Sequence, residues 1–294
     1  MDSYFNTETD FKQDHLIQEY RITLPMSLEE FRVGHQFSVN EVSKEETGGK
    51  EGVEIVAQFP FNDPSNPLRA NGKTFPEGYF THKIYYGARK LPRTIHMLFP
   101  TGGLEFHERS WDAFPYSRTV ILAADGHKYP KDFFYVVIET FYAADNGTSE
   151  NIHGLTGRDL SQRRVRKIDI ANGAISSMDY KAELDPCLVG SEKAGRAPIP
   201  KDITGEWMNN VNPVMTCYKV VKVWCRWFGL QDQIQKQILR SYDMYFLLYH
   251  RKLVCWMDKY YGLTMEDLRK TEKETKEELD VKRLSGEACG TFWR

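Results

Sequence analysis

Residues 234–262, IQKQILRSYDMYFLLYHRKLVCWMDKYYG, carry the pattern that decides the fold. Ile234, Ile238, Tyr242, Tyr245, Tyr249, Leu253, Trp256 and Tyr260 recur at steps of three or four. That spacing predicts one long amphipathic helix, Ile234 to Tyr260, with a broad aromatic-rich stripe. Gly262 stops it, and Thr264 with Asp267 starts a final charged helix reaching about Leu284. Upstream, strand-like segments dominate. Strands are expected over 19–25, 53–61, 79–86, 105–114, 118–124, 132–142, 165–171 and 217–227. Ser27-Leu28-Glu29-Glu30 is a capping box that opens a helix. Leu91 to Phe99 fits either helix or strand. Asn62 to Gly78 reads as a loop, and Asn172 to Asn212 as a polar excursion of the length that is usually functional or mobile. Strands followed by one long helix give an α+β fold, an antiparallel sheet wrapped around a helix. No linker separates sheet from helix, so residues 18–294 are expected to form one domain after an N-terminal extension, 1–17.

Composition narrows the function. The 294 residues are 41% hydrophobic and 27% charged, an ordinary globular balance. A formal charge of -2 gives no global reason to bind nucleic acid. The five cysteines, Cys187, Cys217, Cys225, Cys255 and Cys289, are odd in number and contain no CxxC. They read as reduced thiols, neither a disulfide framework nor a zinc site. Met1 to His15 lacks the apolar stretch of a signal peptide and the arginines of a transit peptide. No segment approaches a membrane span, so any membrane contact is expected to be peripheral. Asn146-Gly147-Thr148 reads as a turn rather than a used glycosylation acceptor.

Enzyme signatures fail on inspection. His107-Glu108-Arg109-Ser110-Trp111 begins like HExxH, but Trp111 takes the second histidine position. Gly48-Gly49-Lys50-Glu51-Gly52 fits neither phosphate-loop pattern, and there is no GxSxG. What stands out instead is polarity on apolar strand faces, where residues of equal parity share a face. Lys219 shares one with Val221, Val223 and Cys225. Thr140 shares one with Phe134, Val136 and Ile138, and Thr119 one with Ile121 and Ala123. Thr81 and Lys83 accompany Tyr79 and Tyr85, while Glu108 and Asp112 fall on one side. Taken singly, each is a satisfied hydroxyl, a snorkelling lysine or an ordinary ion pair. As a set they would suit a buried phosphate carrying a polyol, because charges are rarely buried without a partner.

Several stretches resemble the class I phosphatidylinositol transfer proteins. They include Glu19-Tyr20-Arg21 through Leu24-Pro25, SKEETGGKEG at 43–52, Thr81-His82-Lys83-Ile84-Tyr85, and HERSWDAFPYSRT at 107–119. Farther on come Ile168-Asp169-Ile170-Ala171, Asp179-Tyr180-Lys181-Ala182-Glu183, Tyr218-Lys219-Val220-Val221 and Trp227-Phe228-Gly229-Leu230-Gln231. His250-Arg251 with Cys255-Trp256, and Leu263-Thr264-Met265-Glu266-Asp267, complete a colinear set covering about residues 18 to 285.

The resemblance implies a helix-grip fold related to the START domains, a curved antiparallel sheet around a long helix enclosing a lipid cavity. It implies no enzyme and no cofactor, only one bound phospholipid as cargo. The family's inositol contacts fall on Thr81, Lys83, Glu108 and Asp112. Its phosphate contacts fall on Thr119, Thr140 and Lys219, with His35 where the family usually has Gln. Asp112 replaces an Asn, and a second carboxylate beside Glu108 is costly unless Lys83 offsets it. His35 would donate to the phosphate, more strongly when protonated. Ser117 stands where many members have a reactive cysteine. Trp227-Phe228 takes the place of a membrane-inserting Trp-Trp pair; read without the family, it is two aromatics at a strand end. Leu91 to Leu104 and the C-terminal helix resemble a mobile cover, and Asn172 to Pro200 a regulatory loop. Ser191 aligns with a phosphorylation position, but Gly190 and Glu192 replace its flanking residues, which argues against modification there.

The expected activity is transfer of phosphatidylinositol between membranes with phosphatidylcholine as the exchange lipid. The expected location is cytoplasmic, in transient contact with membrane surfaces. A rival reading is a lipid-presenting partner of a lipid kinase, and altered headgroup selectivity is a further alternative. The aromatic stripe of the long helix suits a cavity wall and a solid core equally well.

Overall fold

A computed structural model describes residues 15–48, 52–86, 105–123, 133–201 and 204–285. Most of the expected N-terminal extension, the Leu91–Leu104 cover, Gly49 to Glu51, Asp132 and Cys289 lie outside the described residues. The chain opens with β1 (Leu16–Leu24) and α1 (Leu28–Glu45). The capping box at Ser27 forms: the hydroxyl accepts from Glu30 N, and the Glu30 carboxylate accepts from Ser27 N. Next come β2 (Gly52–Asn62), the short pair β3 (Leu68–Ala70) and β4 (Lys73–Phe75), then β5 (Glu77–Tyr86), β6 (Glu105–Ala113), β7 (Tyr116–Ala123) and β8 (Phe134–Ala143). The expected loop at 62–78 therefore holds a hairpin. Its Phe75 stacks on Tyr116 at 5.0 Å and helps to cover the outer face of the sheet. The chain continues through α2 (Gly157–Gln162), β9 (Arg164–Ile168), a 3-10 turn (Ala182–Leu184), α3 (Trp207–Asn210) and β10 (Met215–Cys225). It closes with α4 (Gln231–Cys255), α5 (Met257–Tyr260), α6 (Met265–Lys270) and α7 (Glu272–Ser285).

Eight strands form one sheet in the order β2-β5-β6-β7-β8-β10-β1-β9. All neighbours are antiparallel except β9, which runs parallel to β1. The expected antiparallel sheet thus carries one parallel strand at its edge. The chain reaches that edge through α2, whose Asp159 Oδ1 lies 3.0 Å from His15 Nε2 beside the start of β1, so β9 sets off in the same direction. The long helix is confirmed in place and extent but not in continuity: α4 ends at Cys255, and Trp256 separates it from α5. The final charged helix is likewise divided, at Thr271. Ile234, Ile238, Leu239, Phe246, Leu247, Tyr249 and Leu253 of α4 are buried in the core between helix and sheet. Each contributes on the order of 1.5–3 kcal/mol by leaving water. Residues from β2 through β10 line one cavity together with α1 and α4, so the sheet curves around it.

Candidate functional site

Strand register decides which side chains meet. Three rows cross the inner face of the sheet. The first runs Ile55, Lys83, Glu108, Ile121, Val136 and Val223 from β2 to β10. The second runs Gln58, Thr81, Ser110, Thr119, Ile138 and Val221. The third runs Tyr79, Asp112, Ser117, Thr140 and Lys219. Above them the face is apolar, with Tyr85, Phe106 and Phe134. Across the space stand His35 of α1 and Tyr242, Tyr245, Phe246 and Tyr249 of α4. The cavity measures about 380 Å³. All eight headgroup residues singled out in the sequence line it: His35, Thr81, Lys83, Glu108, Asp112, Thr119, Thr140 and Lys219. The aromatic stripe is therefore a cavity wall as well as a core face.

The electrostatics are unusual for an interior. Lys219 is 8% exposed, and its nearest polar partner is Thr140 Oγ1 at 3.4 Å, with the rings of Tyr142 and Phe246 within 6 Å of Nζ. Lys83 is 7% exposed. Neither ammonium has a carboxylate within 4.0 Å among the described residues. Burial pushes both lysines down from their ordinary value; Glu108 and Glu46 oppose this at Lys83. The Glu108 carboxylate accepts from Tyr85 Oη at 3.1 Å.

Two expectations change. His35 is pushed down to about 3 by burial, with Lys219 and Lys83 adding to the effect, so it is neutral at physiological pH. Its Nδ1 lies 2.7 Å from Tyr249 Oη. Asp112 is not beside Glu108: the two lie four residues apart on one strand, about 13 Å between Cα atoms. The charges facing Asp112 are Arg32 and Arg269 rather than Lys83, and burial outweighs both, raising its carboxyl to about 6. Arg269 lies over Tyr79, the register partner of Asp112, and Arg32 over Phe114.

Sequence reasoning missed Gln58 and Ser110, which complete the second row. Ser110 Oγ lies 2.8 Å from Thr119 Oγ1. Its parity with Glu108 and Asp112 was the available signal; Gln58 follows a register shift in β2 that parity does not anticipate. Trp227 and Phe228 lie outside the cavity, between β10 and α4. Trp227 is half-buried against Phe133 at 5.7 Å, and Phe228 is fully exposed. Ser191 is buried, with its hydroxyl donated to Asp258.

Sheet, long helix and the cavity between them define a helix-grip protein. Residues 15–277 match the family model described as phosphatidylinositol transfer protein. The chain is 40% identical over 278 residues to the phosphatidylinositol transfer protein beta isoform of Bos taurus, covering 94% of this chain and 97% of that one. It is equally 40% identical to the Homo sapiens beta isoform over the same shares. Phosphatidylinositol transfer protein 1 of Dictyostelium discoideum is 36% identical over 268 residues, 91% of this chain and 95% of its own length. The chain belongs to the phosphatidylinositol transfer protein family.

Proposed function

We propose that this protein extracts a single phosphatidylinositol molecule from one bilayer, shields it in the cavity and releases it into another, with phosphatidylcholine as the exchange cargo. The observation that carries the reading is Lys219. A buried ammonium without an anion costs several kcal/mol, and a lipid phosphate beside it restores the charged form that burial disfavours. Thr140, Thr119 and neutral His35 supply the remaining phosphate contacts. Thr81, Lys83, Glu108 and Asp112 take the inositol hydroxyls. The acyl chains are the harder problem: roughly thirty methylenes at about 0.8 kcal/mol each amount to ~25 kcal/mol against bare water. Cavity wall must replace bilayer hydrocarbon without an aqueous interval, so exchange takes place at a membrane surface, with Trp227 and Phe228 as the docking point. The names carried by the relatives support phosphatidylinositol as the cargo.

The test is vesicle-to-vesicle transfer by the purified protein alone, with labelled phosphatidylinositol and labelled phosphatidylcholine in parallel. Lys83→Ala or Thr81→Ala is expected to lower phosphatidylinositol transfer at least tenfold and to spare phosphatidylcholine. Lys219→Ala is expected to lower both while leaving the melting temperature unchanged or raised, since a buried charge is removed. Equal loss of both lipids in Lys83→Ala, at wild-type stability, would reject the inositol assignment.

A further inference from the structure

Among the described residues one edge of the sheet is open. There β9 is hydrogen bonded to β1 alone, whereas β2 at the opposite edge packs against α7. Arg164, Val165, Arg166 and Lys167 are all exposed, Val165 at 43%. Their outward backbone N–H and C=O groups have no hydrogen-bond partner among the described residues. Such an edge is a template for one more strand.

The edge is also strongly basic, in a chain whose net charge is -2. Residues 163–167 read RRVRK. Arg163 is committed to Glu19 and Glu150. Arg166 reaches Asp243 at 2.8 Å but stays 55% exposed, and Arg240 faces the same Asp243. Arg164 and Lys167 have no carboxylate within 4.0 Å among the described residues. Alternation puts Arg164 and Arg166 on the face of buried Ile168, towards α4, and Val165 with Lys167 on the other.

We infer that the β9 edge binds an extended acidic segment of a partner protein, which adds to the sheet as a further strand. The complementary sequence has acidic residues at alternate positions opposite Arg164 and Arg166, with apolar residues between them near Val165. Basic side chains on edges commonly deter pairing between copies of one protein. Here they do that too, since two β9 edges would oppose like charges, and the same charges select an acidic strand. An anionic bilayer would answer the charges but leave the row of backbone groups to water. None of these residues lines the cavity, so the inference stands apart from the cargo.

The experiment uses the full chain and a fluorescein-labelled octapeptide of alternating glutamate and valine, followed by anisotropy at low ionic strength. Saturable binding is expected, at least tenfold weaker for the double variant Arg164→Glu/Arg166→Glu, whose phosphatidylinositol transfer stays at the wild-type rate. The same peptide N-methylated at alternate backbone nitrogens keeps its charge but loses strand pairing, and is expected to bind at least tenfold more weakly. Absence of saturable binding would overturn the inference. So would equal binding of the N-methylated peptide, which would reduce the edge to a charged patch. Binding of anionic vesicles through Arg164 and Arg166 without peptide binding would assign the surface to membranes instead.

Discussion

Asp112 shows how one side chain can tie cargo choice to stability. Its carboxyl is raised from 3.8 to about 6 by burial, with Arg32 and Arg269 working in the opposite direction. The folded state therefore holds the proton more tightly than the unfolded chain does, and stability falls as pH rises from about 4 to about 6. Above that range the ionised group costs up to about 3 kcal/mol at 1.36 kcal/mol per pH unit. Asp112→Asn is thus expected to raise the urea midpoint at pH 7.5, to leave it unchanged near pH 3.5, and to flatten the slope between. A variant with the wild-type pH profile would remove Asp112 from this role. Protonated, Asp112 offers both donor and acceptor, as an amide does, so phosphatidylinositol transfer is expected to rise below pH 6 in wild type and not in Asp112→Asn. Parity identified Asp112 from the sequence. Its electrostatic surroundings were not legible there, because Arg32 and Arg269 arrive on helices from opposite ends of the chain.

Helices and strands were legible to different depths. The capping boxes at Ser27 and Thr264 both form, since they depend on residues three apart. The direction of β9 and the break at Trp256 depend on distant packing that no local period encodes. The contact between α1 and α5 is another such case. A Cβ at Gly34 would lie 2.5 Å from the ring of Tyr260, which is 1% exposed and donates its hydroxyl to Leu253 O. The ring cannot retreat without losing that bond. Gly34→Ala is expected to destabilise by about 1–3 kcal/mol, the usual range for overpacking, and Gly34→Ala with Tyr260→Leu to recover part of it. Thermal melting of the wild type and both variants checks this. Arg251 makes a comparable tie: its guanidinium donates to the carbonyls of Ile170, Ala171 and Gly173 and fastens the start of the polar excursion to α4.

Across the whole molecule, one end of the sheet gathers the apolar lining of the cavity. β5 and β7 finish there at Tyr86 and Ala123, β6 and β8 begin there at Glu105 and Phe134, and β10 ends there at Cys225, just before Phe228. The polar rows lie deeper. Among the described residues no helix is long and apolar enough to cross a membrane, and the proposed docking point is the exposed Phe228. Phe228→Asp is expected to lower vesicle transfer severalfold while the lipid content of the purified protein, measured by mass spectrometry, stays constant; loss of bound lipid would instead place Phe228 in cargo retention. The cavity was legible through the family resemblance and not through the pattern, because a stripe such as Tyr242, Tyr245 and Tyr249 packs against a partner or a void with the same periodicity. The three rows have a broader consequence. Apart from Ile55 and Gln58 on the edge strand β2, they lie on strands paired on both sides, so each of those backbone positions is held by the ladder whatever side chain it carries. If these rows hold the headgroup as proposed, exchanges at Ser110 or Asp112 would revise which molecules are accepted without disturbing the frame, leaving selectivity free to diverge among descendants of one inherited architecture.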